Sequence, residues 1–176
     1  METEAVEPTR APPESFDEFF RTHFPAVARA AALILRDFDL GQETASEAFS
    51  RLLTRWERMD SPDHARNFVY RVAANLARSH LRKFSRVTRF GLRKPDGLPE
   101  ETAQTDSTAV DKVVVADALR TLSARQRACV VLVDYAGYDS AGAAEVLGMN
   151  EGTVRVHVMR ARRALRAKLA QDREER

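Results

Sequence analysis

Apolar residues recur along this chain at spacings of three and four, the repeat of one face of an α-helix. Phe16, Phe19, Phe20, Phe24, Val27 and Ala31 form the first such stripe. Ala45, Ala48, Phe49, Leu52, Leu53 and Trp56 form a second, after "DLGQ", where Asp39 and Gln42 have capping-box spacing. Ser61 followed by Pro62 marks a third helix start, because proline at the first helical position loses no needed N–H. Phe68, Val72, Asn75, Leu76 and Leu81 continue that helix. Residues 14–90 therefore read as one small all-helical domain.

Gly91, Pro95, Gly97 and Pro99 then interrupt the pattern, and the polar stretch that follows has no period. Residues 91–109 read as a flexible acidic linker, longer than most connections inside a domain. The helical pattern returns with Val110, Val113, Val114, Ala118 and Leu122. Ser123 and Gln126 offer a capping box for a helix to about Tyr135. Ser140 is a candidate cap for a short helix, and Gly148 suits the left-handed residue at its end. Asn150 can cap a last helix, in which Val154, Val158, Ala161, Leu165 and Leu169 mark the buried side. This second domain spans 110–170; an acidic, Pro-containing tail over 1–13 and a short tail over 171–176 flank the whole. The fold class expected is all-α, two small helical domains joined by a flexible linker, the second holding a helix-turn-helix.

Charge changes this picture from a fold into a binding protein. The net charge is only +2 in 176 residues, but it is arranged in blocks. Residues 78–94 hold seven bases and no acid, residues 96–117 six acids and one base, and residues 155–176 eight bases and three acids. Two basic blocks separated by an acidic one fit two contacts with a polyanion, the alternative being solvated arginine faces. In the last helix the side opposite the valines presents Arg155, His157 and Arg160, with Glu151 and Thr153 near its start and Arg162 beyond. In a helix-turn-helix the first turns of the second helix reach base edges in the major groove; the plain alternative is a helical hairpin. In the third helix Arg71, Arg78 and Arg82 accompany Phe68 and Tyr70, a combination suited to phosphate and unstacked bases. The alternative makes Phe68 and Phe84 core and leaves the basic residues solvated; Phe84 reads as core, and Tyr70 stays open between the two roles.

Catalytic chemistry finds little support. His23, His64, His80 and His157 lack metal-ligand spacing, and there is no Gly-rich phosphate loop or G-x-S-x-G. Glu43 and Glu47 lie one turn apart, and they serve either as an acid/base pair or, more simply, as a solvated or partner-binding face. The lone Cys129 excludes an intrachain disulfide and reads as a small core residue. No apolar run is long enough for a spanning helix, and the acidic N-terminus does not resemble a signal peptide, so a cytoplasmic protein without direct membrane insertion is expected.

Five segments in order resemble the extracytoplasmic-function sigma factors of bacterial RNA polymerase, within the sigma-70 family. They are "FDEFFRTHFPAVARAAALIL", "DLGQETASEAFSRLLTRW", "NFVYRVAANLARSHLRK", "LRTLSARQRACVVL" and "LGMNEGTVRVHVMRARRAL". The resemblance implies a non-enzymatic sigma subunit that needs no cofactor. Its first domain would be region 2 and its last region 4. Glu43, Thr44, Ser46 and Glu47 would meet the clamp of the polymerase's largest subunit. Asn67, Phe68, Tyr70, Arg71, Asn75, Arg78 and Arg82 would bind and help melt the −10 element. Region 4 would meet the flap of the second-largest subunit and read the −35 element through Glu151, Thr153, Arg155, His157, Arg160 and Arg162. Promoter DNA, core polymerase and an anti-sigma protein are the partners implied. Val156 and His157 stand where Ser and Arg are common in the family. The competing reading is a stand-alone regulator with a LuxR-like helix-turn-helix.

Overall fold

A computed structural model describes residues 15–89 and 117–174, with the side chains of 84–89 and 173 excepted. The tail 1–13, the linker 91–109, the stripe at Val110, Val113 and Val114 and the side chain of Phe84 lie outside the described residues. Among the described residues every regular element is helical.

Helix α1 (Phe16–Leu35) opens on a complete capping box. Ser15 Oγ accepts from the Glu18 N–H at 3.2 Å, and Glu18 accepts from the Ser15 N–H at 3.1 Å. It ends on Arg36 in the left-handed conformation, and α2 (Phe38–Leu53) begins at once. The cap of α2 is Asp37, whose carboxylate accepts from the Leu40 N–H at 2.9 Å. The sequence points to Asp39 and Gln42, two residues later. Asp39 lies inside the first turn, where its charge still complements the helix dipole but no longer caps. Gly41 lets α2 approach α1 closely, for a Cβ there would sit 2.6 Å from the Ala32 backbone.

A 3₁₀ turn (Trp56–Arg58) leads to α3 (Pro62–Arg89), and Ser61 caps it as its sequence indicates, accepting from the His64 N–H at 3.1 Å. Phe19, Val27, Ala45, Ala48, Phe49, Leu52, Val69 and Ala77 fill the space between α1, α2 and α3. An aromatic group of Phe20, Phe49, Phe19 and Trp56 closes one end, with Phe20 edge-on to Phe49 at 5.1 Å.

Beyond a helical turn at 117–120, Ser123 and Gln126 form the expected capping box of α4 (Ala124–Val130). One π-helical turn (Val131–Tyr135) continues it. Gly137, at φ 75°, reverses the chain. Helix α5 (Ser140–Leu147) is capped by Asp139, not by Ser140. Both residue types cap well, but Asp139 has the extended backbone a cap requires and Ser140 is already helical. Gly148, at φ 60°, ends α5 as its sequence indicates, and Asn150 caps α6 (Glu151–Glu174) by accepting from the Gly152 N–H at 2.8 Å. Helix α6 runs a full turn past Leu169, which is solvent-exposed, while Val154, Val158 and Ala161 are buried.

The two halves pack against each other, which their sequence does not announce. One continuous apolar cluster runs from Phe19 and Val69 to Cys129, Leu132, Val146 and Val154. Cys129 is fully buried in it, and burial pushes its thiol up to about 11, so it is protonated near neutrality. Arg127 is 5 % exposed and spans the two halves. Its Nε donates to the Ile34 carbonyl at the end of α1 at 2.7 Å, and its Nη1 to the Leu122 carbonyl at 3.1 Å. Among the described residues no helix is long and apolar enough to cross a membrane, and no group of three His, Cys, Asp or Glu side chains is placed to hold a metal.

Candidate nucleic-acid interface

The helix-turn-helix is built by local rules. Asp139 and Asn150 fix the starts of α5 and α6, and Gly148 supplies the left-handed residue between them. Gly142 keeps the first turn of α5 close to Tyr138, whose ring would lie 3.0 Å from a Cβ at that position. With Val154, Val158 and Ala161 inward, α6 turns Gly152, Thr153, Arg155, Val156, Met159, Arg160, Arg162 and Arg163 outward.

The candidate −35 residues differ in what holds them. Arg155 pairs with Glu151 on the exposed side of the first two turns. Arg162 forks onto Asp134 of the π-helical turn, with Nε and Nη2 at 3.1 and 2.5 Å from the two carboxylate oxygens. That pairing raises its pKa and ties the middle of α6 to the π-helical end of α4. His157 is half-buried, and its Nδ1 has no hydrogen-bond partner among the described residues. Arg160 and Thr153 are exposed. At 3.6 residues per turn, Arg155 and His157 fall on opposite flanks of the outward face, not together at its centre.

The candidate −10 residues lie along α3. Arg71, Asn75, Arg78 and Arg82 follow one another at spacings of four, three and four on a solvent-exposed face. The helix-turn-helix already engages part of this face. Arg71 Nη2 pairs with Glu145 Oε1 at 3.0 Å, and Arg78 Nη2 donates to the Leu147 carbonyl at 2.5 Å. Tyr70 is buried edge-on against Tyr138, with ring centroids 5.4 Å apart. The open choice for Tyr70 thus resolves toward packing in this arrangement. Burial pushes both phenols up to about 12. Arg66, which the sequence pattern does not single out, donates to the Ala136 carbonyl and stacks 4.6 Å from the Tyr138 ring. Phe68 and Asn67 are half-buried, and the Arg55 guanidinium sits 5.6 Å from the Phe68 ring.

The α2 candidates form a separate surface. Glu43, Ser46 and Glu47 are exposed beside Leu76 and His80 of α3, lining an open groove of about 510 Å³. Thr44 is 2 % exposed beneath it, and its hydroxyl has no partner among the described residues. Glu47 accepts from Arg51 Nε at 2.7 Å, an exposed pair one turn apart. Three surfaces thus emerge from one chain: an acidic groove on α2, a basic face on α3, and the outward face of α6.

Comparison with known proteins gives these surfaces a common context. Residues 19–87 match the family model of sigma-70 region 2, and residues 112–165 that of sigma-70, region 4. The chain is 29% identical over 160 residues to the RNA polymerase sigma-E factor of Streptomyces coelicolor, covering 88% of this chain and 85% of that one. It is 30% identical over 152 residues to the ECF RNA polymerase sigma factor SigL of Mycobacterium tuberculosis, covering 84% of each. Its fold resembles that of the sigma factor RpoE of Bartonella quintana, crystallised with the anti-sigma factor NepR. That likeness has a TM-score of 0.70 at 20% identity, over 88% of this chain and 96% of that one. The chain belongs to the extracytoplasmic-function sigma factors, the sigma-70-family subunits of RNA polymerase that carry regions 2 and 4.

Proposed function

We propose that this sigma subunit acts in the cytoplasm, brings core RNA polymerase to promoters carrying a −10 and a −35 element, and helps open the first of them. It has no catalytic chemistry of its own and requires no cofactor. One observation carries the reading: a second basic helix face on α3 (Arg71, Asn75, Arg78, Arg82) accompanies the helix-turn-helix in the same chain. A stand-alone regulator has no use for it. Phosphate neutralisation by these cations holds the strand, while Phe68 and Asn67 stand beside the displaced bases. Glu43, Ser46 and Glu47 define the surface for the polymerase clamp, with Thr44 buried beneath them. The exposed carboxylates of Glu43 and Glu47 favour a basic partner there. Helix α6 reads the upstream element with Arg155 and Arg160, assisted by Glu151, Thr153, His157 and Arg162. An anti-sigma protein is the expected regulator.

The test is reconstitution. Purified chain added to core polymerase yields a holoenzyme that gives specific run-off transcripts from promoters mapped after overexpression. Arg160→Ala lowers transcription from them while core binding is unchanged. Failure to bind core enzyme sinks the proposal.

A further inference from the structure

The outward face of α6 is not uniformly basic. At 3.6 residues per turn, Val156 stands opposite the buried Val154, Val158 and Ala161, at the centre of the face. Val156 is 40% exposed and Met159, three residues on, is 63% exposed. Gly152 occupies the same stripe one turn earlier. It has no side chain to hold a partner away from Val156, and a Cβ there would meet only the Asn150 side chain. Arg155, Arg160 and Arg163 surround the apolar pair. Among the described residues the packing of the two halves leaves this face clear, because the hydrogen bonds to α3 come from Glu145 and Leu147 and from the segment before α5.

An apolar centre inside a cationic ring matches one feature of the DNA major groove. Phosphates lie along its edges, where the arginines reach. Its floor presents polar base edges and a single kind of apolar group, the C5-methyl of thymine. Val156 and Met159 are the sixth and ninth residues of α6, within the first turns that approach base edges in a helix-turn-helix. We propose that Val156 and Met159 are specificity-determining residues that recognise thymine C5-methyl groups in the upstream promoter element. Gly152 permits the approach, and Arg155 and Arg160 anchor the flanking phosphates or guanines. This rests on the reading of α6 as the −35 helix and adds which base the centre of that helix selects.

The test replaces only the methyl group. Holoenzyme is assembled from core polymerase and the full chain, and promoter duplexes are prepared with each upstream thymine changed singly to deoxyuridine. Burying one methyl group is worth about fourfold in affinity, the ratio that corresponds to ~0.8 kcal/mol. One or two positions are expected to show a loss of roughly threefold to fivefold in wild-type binding. The double variant Val156→Ala, Met159→Ala binds thymine and deoxyuridine duplexes equally at those positions. Wild-type binding that ignores deoxyuridine at every position overturns the inference, as does a double variant that keeps the full thymine preference. A double variant that discriminates normally but assembles poorly with core enzyme would assign the pair to a protein partner instead, and also overturns it. The parent reading has its own control: a scrambled upstream element that wild-type holoenzyme binds as well as the native one removes the −35 role of α6 altogether.

Discussion

Replacing Arg127 by methionine asks whether a buried cation holds the two halves of this molecule together. The guanidinium is buried with carbonyl oxygens around it: Ile34 at 2.7 Å, Leu122 at 3.1 Å and Leu119 at 3.4 Å. Burial, and Arg36 nearby, push its pKa down to about 10, so the charge is held at a cost. Methionine keeps much of the aliphatic volume and removes that cost, which amounts to several kcal/mol for a buried ion. It also abandons the three bonds to carbonyls, of which the two shorter ones are worth about 1.5–3 kcal/mol each, and leaves carbonyls at two helix ends without a donor. The lost bonds and the desolvated carbonyls outweigh the relief, giving a net loss of ~2 kcal/mol. In urea unfolding followed by circular dichroism this lowers the midpoint by about 1 M, given a slope of roughly 2 kcal/mol/M. Hydrogen exchange should quicken at the last turn of α1 as well as along α4. A midpoint equal to or above wild type would show that desolvation dominates. Faster exchange at α4 alone would show that the bond to Ile34 joins nothing.

Gly41→Ala places a methyl group 2.6 Å from the Ala32 backbone, so α1 and α2 must separate; thermal unfolding should show a loss of about 1–3 kcal/mol, and an unchanged melting temperature would refute the close approach. Tyr70 and Tyr138, pushed up to about 12 by burial, keep their protons after an unfolded tyrosine near 10 has lost its own. The folded state then binds more protons, so this stabilisation is complete below pH ~10 and is lost as pH rises toward ~12. Ultraviolet titration of the folded protein should show tyrosinate forming late for all three tyrosines, since Tyr135 is raised too; a component titrating normally would contradict it. Glu47→Lys should weaken binding to core polymerase at least tenfold, the equivalent of about 1.4 kcal/mol, while the loss of its exposed Arg51 pair changes stability by under ~0.5 kcal/mol. Unchanged core affinity would remove α2 from the docking surface.

The features that could be read from the chain are those decided within a few residues. Ser61, Ser123, Gly148 and Asn150 act where their spacing places them, because a cap is satisfied by a backbone N–H or carbonyl only a few residues away. Where two capping residues compete, as at Asp37 against Asp39 or Asp139 against Ser140, the path of the preceding chain decides, and the pattern does not contain it. The long-range packing is less legible still. Nothing near Tyr70 indicates Tyr138, and nothing near Arg66, Arg78 or Arg127 indicates that a distant carbonyl accepts from it. The apolar centre of α6 belongs to neither class. Val156 and Met159 fall on the outward stripe by counting alone, but attention to charge draws the eye to Arg155 and His157 on its flanks.

Arg71 and Arg78 have two suitors. Each guanidinium that meets Glu145 or the end of α5 is withheld from a phosphate, so under the proposed role of α3 the packing of the two halves and promoter capture would draw on the same cations. If the packed arrangement is favoured by ~2 kcal/mol, only a few molecules in a hundred are free to bind, and the observed promoter affinity is about thirtyfold weaker than the intrinsic one. A partner that held the two halves apart would relieve that penalty without touching DNA. Promoter selectivity would then be a property of the assembled enzyme, because the isolated chain would compete with its own target.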